Sequence, residues 1–135
     1  MIREKSCGAV IFREEDGRRQ YLILRSTKGH TSLCKGHVEK NETEHQTARR
    51  EILEETGLEV AFLEGFKEVI TYSPTPGHMK DVVFFLARWT AGTPVCQPEE
   101  VAKISFLPFQ KARKALTHAS DRQVLDKAEE FLNRK

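Results

Sequence analysis

Apolar residues occur along this chain in two rhythms. Short aliphatic runs come first, Ser6–Phe12 (SCGAVIF) and Tyr21–Leu24 (YLIL), with the charged stretch Arg13–Arg19 and its Asp16-Gly17 pair between them. That order predicts two strands joined by a hairpin turn. Gly8 inside the first run marks a close backbone approach, with two readings open: contact with a ligand base, or tight packing. Arg25–Lys35 (RSTKGHTSLCK) is polar and reads as a loop. From Thr43 the rhythm changes. Thr43 and Gln46 form a capping-box pair, Ala48 and Ile52 share an apolar face, and no Gly or Pro intervenes before Gly57. A helix from near Thr43 to Gly57 follows. Beyond it, Leu63–Ser73, Lys80–Trp89 and Val101–Leu107 read as strands, Pro74–Gly77 (PTPG) as a turn and Thr90–Pro98 as a loop. Lys80–Trp89 is a long apolar run, as expected of a central strand covered on both faces. Pro108 opens a short helix to about Leu116. A second helix runs from about Ser120 to the C-terminus, with Val124, Leu125, Ala128, Phe131 and Leu132 as its apolar face. The order of strands, helix, strands and helices predicts an α/β fold, a mixed sheet held between helices on both faces.

Length and composition add bounds. At 135 residues the chain is expected to form one domain, 1–135, with a proper core. It has no internal repeats, low-complexity tracts or linkers. The net charge of +2 argues neither for nor against nucleic acid, and no stable nucleic-acid partner is expected. The acids concentrate between Glu39 and Glu59 while the bases are spread elsewhere, which suits a metal pocket with a basic rim. Cys7, Cys34 and Cys96 are odd in number and lack CxxC spacing, so they read as reduced thiols of a cytoplasmic protein. No apolar run approaches the roughly 20 residues that span a membrane, and no signal peptide opens the chain. Monomer and homodimer both remain open.

The chemistry concentrates on the predicted helix. Glu51, Glu54 and Glu55 stand at i, i+3 and i+4 and so share one face. Three clustered carboxylates repel one another unless a positive charge sits between them. An oxygen-preferring divalent cation, Mg²⁺ or Mn²⁺, is the natural counter-ion. The bland alternative is a solvated acidic face.

The flanking residues separate these readings. Gly36–Leu58 reads G-x5-E-x7-R-E-U-x-E-E-x-G-U, where U is aliphatic, and Gly36, Glu42, Arg50, Glu51, Ile52, Glu54, Glu55, Gly57 and Leu58 fill every fixed position. This resembles the signature of the Nudix hydrolases. The resemblance implies an α/β/α sandwich and hydrolysis of a nucleoside diphosphate linked to another moiety, with Mg²⁺ as cofactor. By the same resemblance Glu51, Glu54 and Glu55 are metal ligands, and Glu42 and Arg50 form a supporting ion pair.

Further stretches resemble the asymmetric dinucleoside tetraphosphate hydrolases: the opening CGAVIF, KGHVE at Lys35–Glu39, EGFKE at Glu64–Glu68 with Tyr72 after it, and the KxV start at Lys80–Val82. This implies water attack on diadenosine tetraphosphate with release of AMP and ATP. Lys35 would offer its backbone carbonyl to the metal and its ammonium to a phosphate. Glu54 or Glu55 would take the proton of the attacking water, and Glu100, or its neighbour Glu99, would act as a further ligand or base. Tyr72 would stack on adenine, with His118 as the second ring. The place where relatives carry a tryptophan and prolines reads Thr31-Ser32-Leu33-Cys34 here. For His37 and Lys80, phosphate contact and an ordinary surface role both stay open, and packing remains the alternative for Tyr72. His30, His45 and His78 read as surface residues. Other substrates of the same class are a nucleoside triphosphate, a nucleotide sugar or a capped RNA 5′ end. A nucleotide-sensing module and an interaction scaffold are readings from other classes.

Overall fold

The computed structural model describes residues 1–97 and 99–134; of the loop expected at Thr90–Pro98, Pro98 lies outside them, as does the final residue of the C-terminal helix expectation. Chain order is β1 (Ile2–Glu15), β2 (Arg18–Ser26), β3 (Thr31–Ser32), β4 (Cys34–His37), α1 (Glu44–Thr56), β5 (Glu59–Phe62), β6 (Glu68–Tyr72), β7 (His78–Ala91), β8 (Val101–Leu107), α2 (Phe109–Ala115) and α3 (Ala119–Asn133).

The β1–β2 hairpin turns at Asp16-Gly17, where both residues have positive φ (53° and 73°). That geometry matches the twist of the flanking strands. β1 pairs in parallel with β7 from Ile2↔His78 to Phe12↔Arg88. Antiparallel partners complete a mixed sheet: β5 and β6 beside β7, β8 beside β2. β1 and β2 pair at Phe12↔Tyr21 and toward the turn. Away from the turn they take separate partners, because β3 pairs with β2 and β4 pairs with β1. The stretch expected to be a polar loop therefore carries two short strands, and Lys35-Gly36 stand inside the sheet.

Alternation along the central strands divides the core. Val10, Phe12, Val82, Phe84 and Leu86 pack with Ala112, Leu116, Val124, Leu125, Ala128 and Leu132 of the C-terminal helices. Ala9, Ile11, Val83, Phe85 and Ala87 pack with Ala48 and Ile52 of α1. Both faces are covered, so β1 and β7 read as continuous apolar runs rather than alternating ones. This is the α/β sandwich that the pattern predicts.

Two expectations need correction. Leu63–Ser73 is not one strand: Glu64-Gly65 forms a turn, with Gly65 at φ 92°, and pairing starts at Glu68. Glu59–Phe62, not read as a strand, pairs with β7. It is only four residues long and follows the helix end too closely for periodicity to register. For Gly8 the packing alternative holds: a Cβ there would collide with the Cys34 carbonyl of β4.

Candidate active site

Helix α1 presents the acids because both of its ends are pinned. Thr43 Oγ1 accepts from Gln46 N and the Gln46 side chain accepts from Thr43 N, completing the capping box. Gly57 closes the other end at φ 74°, its N–H donating to the Leu53 carbonyl. Ala48 and Ile52, both fully buried, hold the helix to the sheet. The adjoining face then carries Glu51, Glu54 and Glu55, with Glu51 over Gly36 and Glu55 against Cys34 of β4.

Arg50 is the hub of the site. Its guanidinium grips Glu42 through Nε–Oε2 (2.6 Å) and Nη2–Oε1 (3.1 Å). It also donates to the His37 carbonyl (2.9 Å) and reaches Glu51 (3.1 Å), Glu54 (3.2 Å) and Glu39 (3.3 Å). Glu42 accepts from Thr47 Oγ1 and from Glu39 N as well, both at 2.9 Å. Arg50 foremost, and then the Glu39 N–H, hold the Glu42 carboxyl down at about 2. The expected ion pair is therefore present, and it ties the loop after β4 to the helix.

The acids differ in setting. Glu51 is part-buried and lies over Gly36, where a Cβ would collide with its carboxyl group. Burial raises the Glu51 carboxyl above its usual range against the pull of Arg50. Burial pushes Glu55 up to about 7, opposed by the Cys34 thiol and reinforced by the charges of Glu51 and Glu100. Cys34 Sγ donates to Glu55 Oε1 at 3.1 Å. Glu54 is the open member, its side chain 49% exposed.

A cavity of about 350 Å³ gathers Ser6, Lys35, Gly36, His37, Glu39, Glu51, Glu54, Glu55, Lys80 and Glu100. Glu99 lines the neighbouring hollow with Glu54, Glu55, Gln97 and Glu100, but not this cavity. Glu100 is thus the acid of the pair that faces Glu51. His37 is exposed, with its Nε2 3.6 Å from Glu4. Burial, followed by the nearby charge of Lys35, lowers the pKa of Lys80.

The carboxylates offer hard oxygen donors, and Glu51 and Glu55 carry burial costs that a cation would relieve. Among the described residues, no three His, Cys, Asp or Glu side chains form a ready ligand group. Glu51 and Glu54 turn to Arg50 and Glu55 turns to Cys34. The donor chemistry fits a divalent cation, with side-chain rotation needed to close the set.

A second cavity of about 550 Å³ adjoins the first through Lys35, and Ser26, His30, Ser32, Ile70, Tyr72, His118, Ala119, Ser120 and Asp121 complete its lining. Tyr72 is 40% exposed on β6, so its ring is not core packing. His118 stands just before α3 and stacks on His30, with centroids 5.8 Å apart and planes 20° apart. His30 is exposed, as expected, and also lines this cavity. Nothing in its flanking residues signals this, since its ring partner lies 88 residues further along the chain. His45 is likewise exposed, with its ring stacked on Phe85 at 3.8 Å. The Cys34 thiol and the buried Asp121 also escaped the sequence reading. Strand alternation beside Gly36 could have pointed to Cys34.

The Nudix domain model matches residues 3–128. The chain belongs to the Nudix family. It is 33% identical to mouse bis(5′-nucleosyl)-tetraphosphatase [asymmetrical] over 95 residues, 62% of this chain and 64% of that protein. It is 39% identical to an 8-oxo-(d)GTP phosphatase of Mycolicibacterium smegmatis over 131 residues, 90% of this chain and 40% of that protein. The chain thus spans less than two-thirds of these curated relatives. Among solved structures, a C. elegans Ap4A hydrolase in a binary complex superposes with TM-score 0.89 at 27% identity, covering 98% of this chain and 99% of that one. The Nudix chain is therefore related to the Ap4A hydrolases. Among its described residues, no helix is long and apolar enough to cross a membrane.

Proposed function

We propose that this Nudix protein is a divalent-cation-dependent pyrophosphohydrolase that cleaves dinucleoside polyphosphates such as diadenosine tetraphosphate into AMP and ATP. One observation carries the reading: Lys35 lines both the acidic cavity and the cavity bearing Tyr72 and His118. A ligand with a flat base and a chain of phosphates fits that pairing. The names of the mouse and C. elegans relatives support it.

In this reading Tyr72 and His118 hold the base by stacking. Lys35 and Lys80 bind the phosphates, with His37 at the rim and the Gly36 backbone beneath. Glu51, Glu54, Glu55, Glu100 and the Lys35 carbonyl would hold Mg²⁺, or Mn²⁺ in its place. A cation held there would supply charge neutralisation at the phosphates and a lowered pKa for the attacking water. Glu54 or Glu55 takes the proton from that water. Burial favours Glu55, whose carboxyl lies near neutrality, although a cation would oppose that shift. Arg50 orients the acids, and Glu42 holds Arg50.

A second reading is a nucleoside triphosphate substrate, favoured by the likeness to the M. smegmatis phosphatase over most of the chain. A panel of diadenosine tetraphosphate, nucleoside triphosphates, a nucleotide sugar and capped RNA, assayed with Mg²⁺ and resolved by chromatography, tests both. Highest kcat/KM on diadenosine tetraphosphate is expected. Preference for a triphosphate would move the assignment to the second reading, and no turnover on any of them would end both.

A further inference from the structure

We propose that the Ser6 hydroxyl grips the phosphate chain, donating a hydrogen bond to a non-bridging phosphate oxygen held by Lys35 and Lys80. The proposal rests on the nucleotide-polyphosphate reading and adds a residue to it.

Ser6 is 1% exposed, and its Oγ has no hydrogen-bond partner. A hydroxyl buried without a partner destabilises a fold, so one that lines a cavity points to a missing ligand atom. Ser6 lines the acidic cavity together with Lys35, Gly36 and Lys80. Strand register puts the Ser6, Lys35 and Lys80 side chains on one face. Ser6 lies opposite His37 on β4 and Val82 on β7, and Lys35 and Lys80 each stand two residues before those partners.

The local charge selects an anion. Among the described residues, neither Lys35 nor Lys80 makes an ion pair, although Glu4 lies opposite Lys80 across the β1–β7 ladder. Two unpaired ammonium groups on the face of a neutral donor form a site for phosphate oxygens, whereas a cation belongs with the carboxylates of α1. A hydroxyl rotor can turn toward such an oxygen without moving the backbone. Ser6 thus stands with the two lysines in the acidic cavity, on the path of a phosphate chain that enters from the ring-lined cavity past Lys35.

The test is calorimetric binding of a bis-methylene ATP analogue, in which both phosphoanhydride oxygens are replaced by carbon, with adenosine as control. Ser6→Ala should weaken the analogue about tenfold or more and leave adenosine unchanged. Its melting temperature should stay level or rise, because the removed hydroxyl had no partner. Equal analogue affinity in parent and variant overturns the Ser6 assignment alone. So does a parallel loss for analogue and adenosine with a lower melting temperature, which marks a structural role. If the parent binds neither ligand, the nucleotide-polyphosphate reading falls and the Ser6 proposal falls with it.

Discussion

The acidic cavity and the ring-lined cavity share Lys35 and are built in opposite ways. All its acids but Glu100 come from one continuous stretch, Gly36–Gly57, whose helix spacing aligns Glu51, Glu54 and Glu55 and whose caps fix both helix ends. Arg50 then gathers Glu42, Glu51 and Glu54 through contacts no more than eight residues apart. The ring-lined cavity instead draws on the end of β2, the β3–β4 segment, β6 and the start of α3. No local spacing describes it, because the sheet order brings those segments together. A helix periodicity can therefore encode a charge cluster, whereas the ring-lined cavity is encoded only by the whole topology. The two regions should fail differently when altered.

The largest effect is expected at the acids. Glu55→Gln or Glu54→Gln removes one charge and keeps the shape. Turnover should fall at least about a hundredfold, on the order of 3 kcal/mol in transition-state stabilisation. Folding should be unharmed, since like-charge repulsion is relieved. Steady-state rates with Mg²⁺ check this, and near-parental turnover in both variants would remove the metal assignment.

Arg50→Ala should damage activity and stability together, because Glu39, Glu42, Glu51 and Glu54 lose their shared cation. A drop in melting temperature of roughly 5 °C or more is expected. The pair also has a pH signature. Glu42 is held at about 2 against an ordinary value of 4.5, so its contribution is complete above 4.5 and fades as pH falls toward 2. The gap in melting temperature between parent and Glu42→Gln should close across that window. A gap that persists unchanged at pH 2 would show that the charge plays no part.

Altering the ring cavity should leave the chemistry intact. Tyr72→Ala should weaken substrate binding by about 1–3 kcal/mol, the range for loss of a base–aromatic stack. The melting temperature should barely move, because the ring is 40% exposed. His118→Phe should bind adenine as well or better. A lower melting temperature with unchanged KM in Tyr72→Ala would place the ring in a packing role instead.

This contrast also explains what the sequence could yield. The capping box, the Gly57 stop and the β7 run were legible because each depends on nearby residues or on one period, and the Arg50–Glu42 pair was implied by the resemblance to the Nudix signature. The strands at Thr31–Ser32 and Cys34–His37 were not, because polar residues are drawn into pairing by β1 and β2. The turn at Glu64-Gly65 hid inside a run of strand-forming residues. His30 looked like loop surface because its partner, His118, lies far along the chain. Ser6 looked like an ordinary start to an apolar strand, and only the cavity beside it shows its hydroxyl without a partner.

The central claim is that one ligand spans both regions, its base in the ring cavity and its scissile phosphate at the acids. Hydrolysis of diadenosine tetraphosphate in water labelled with heavy oxygen tests it most directly. The account predicts AMP and ATP in equal amounts, with the label in only one of them. Two molecules of ADP from each substrate, or label divided between both products, would contradict it.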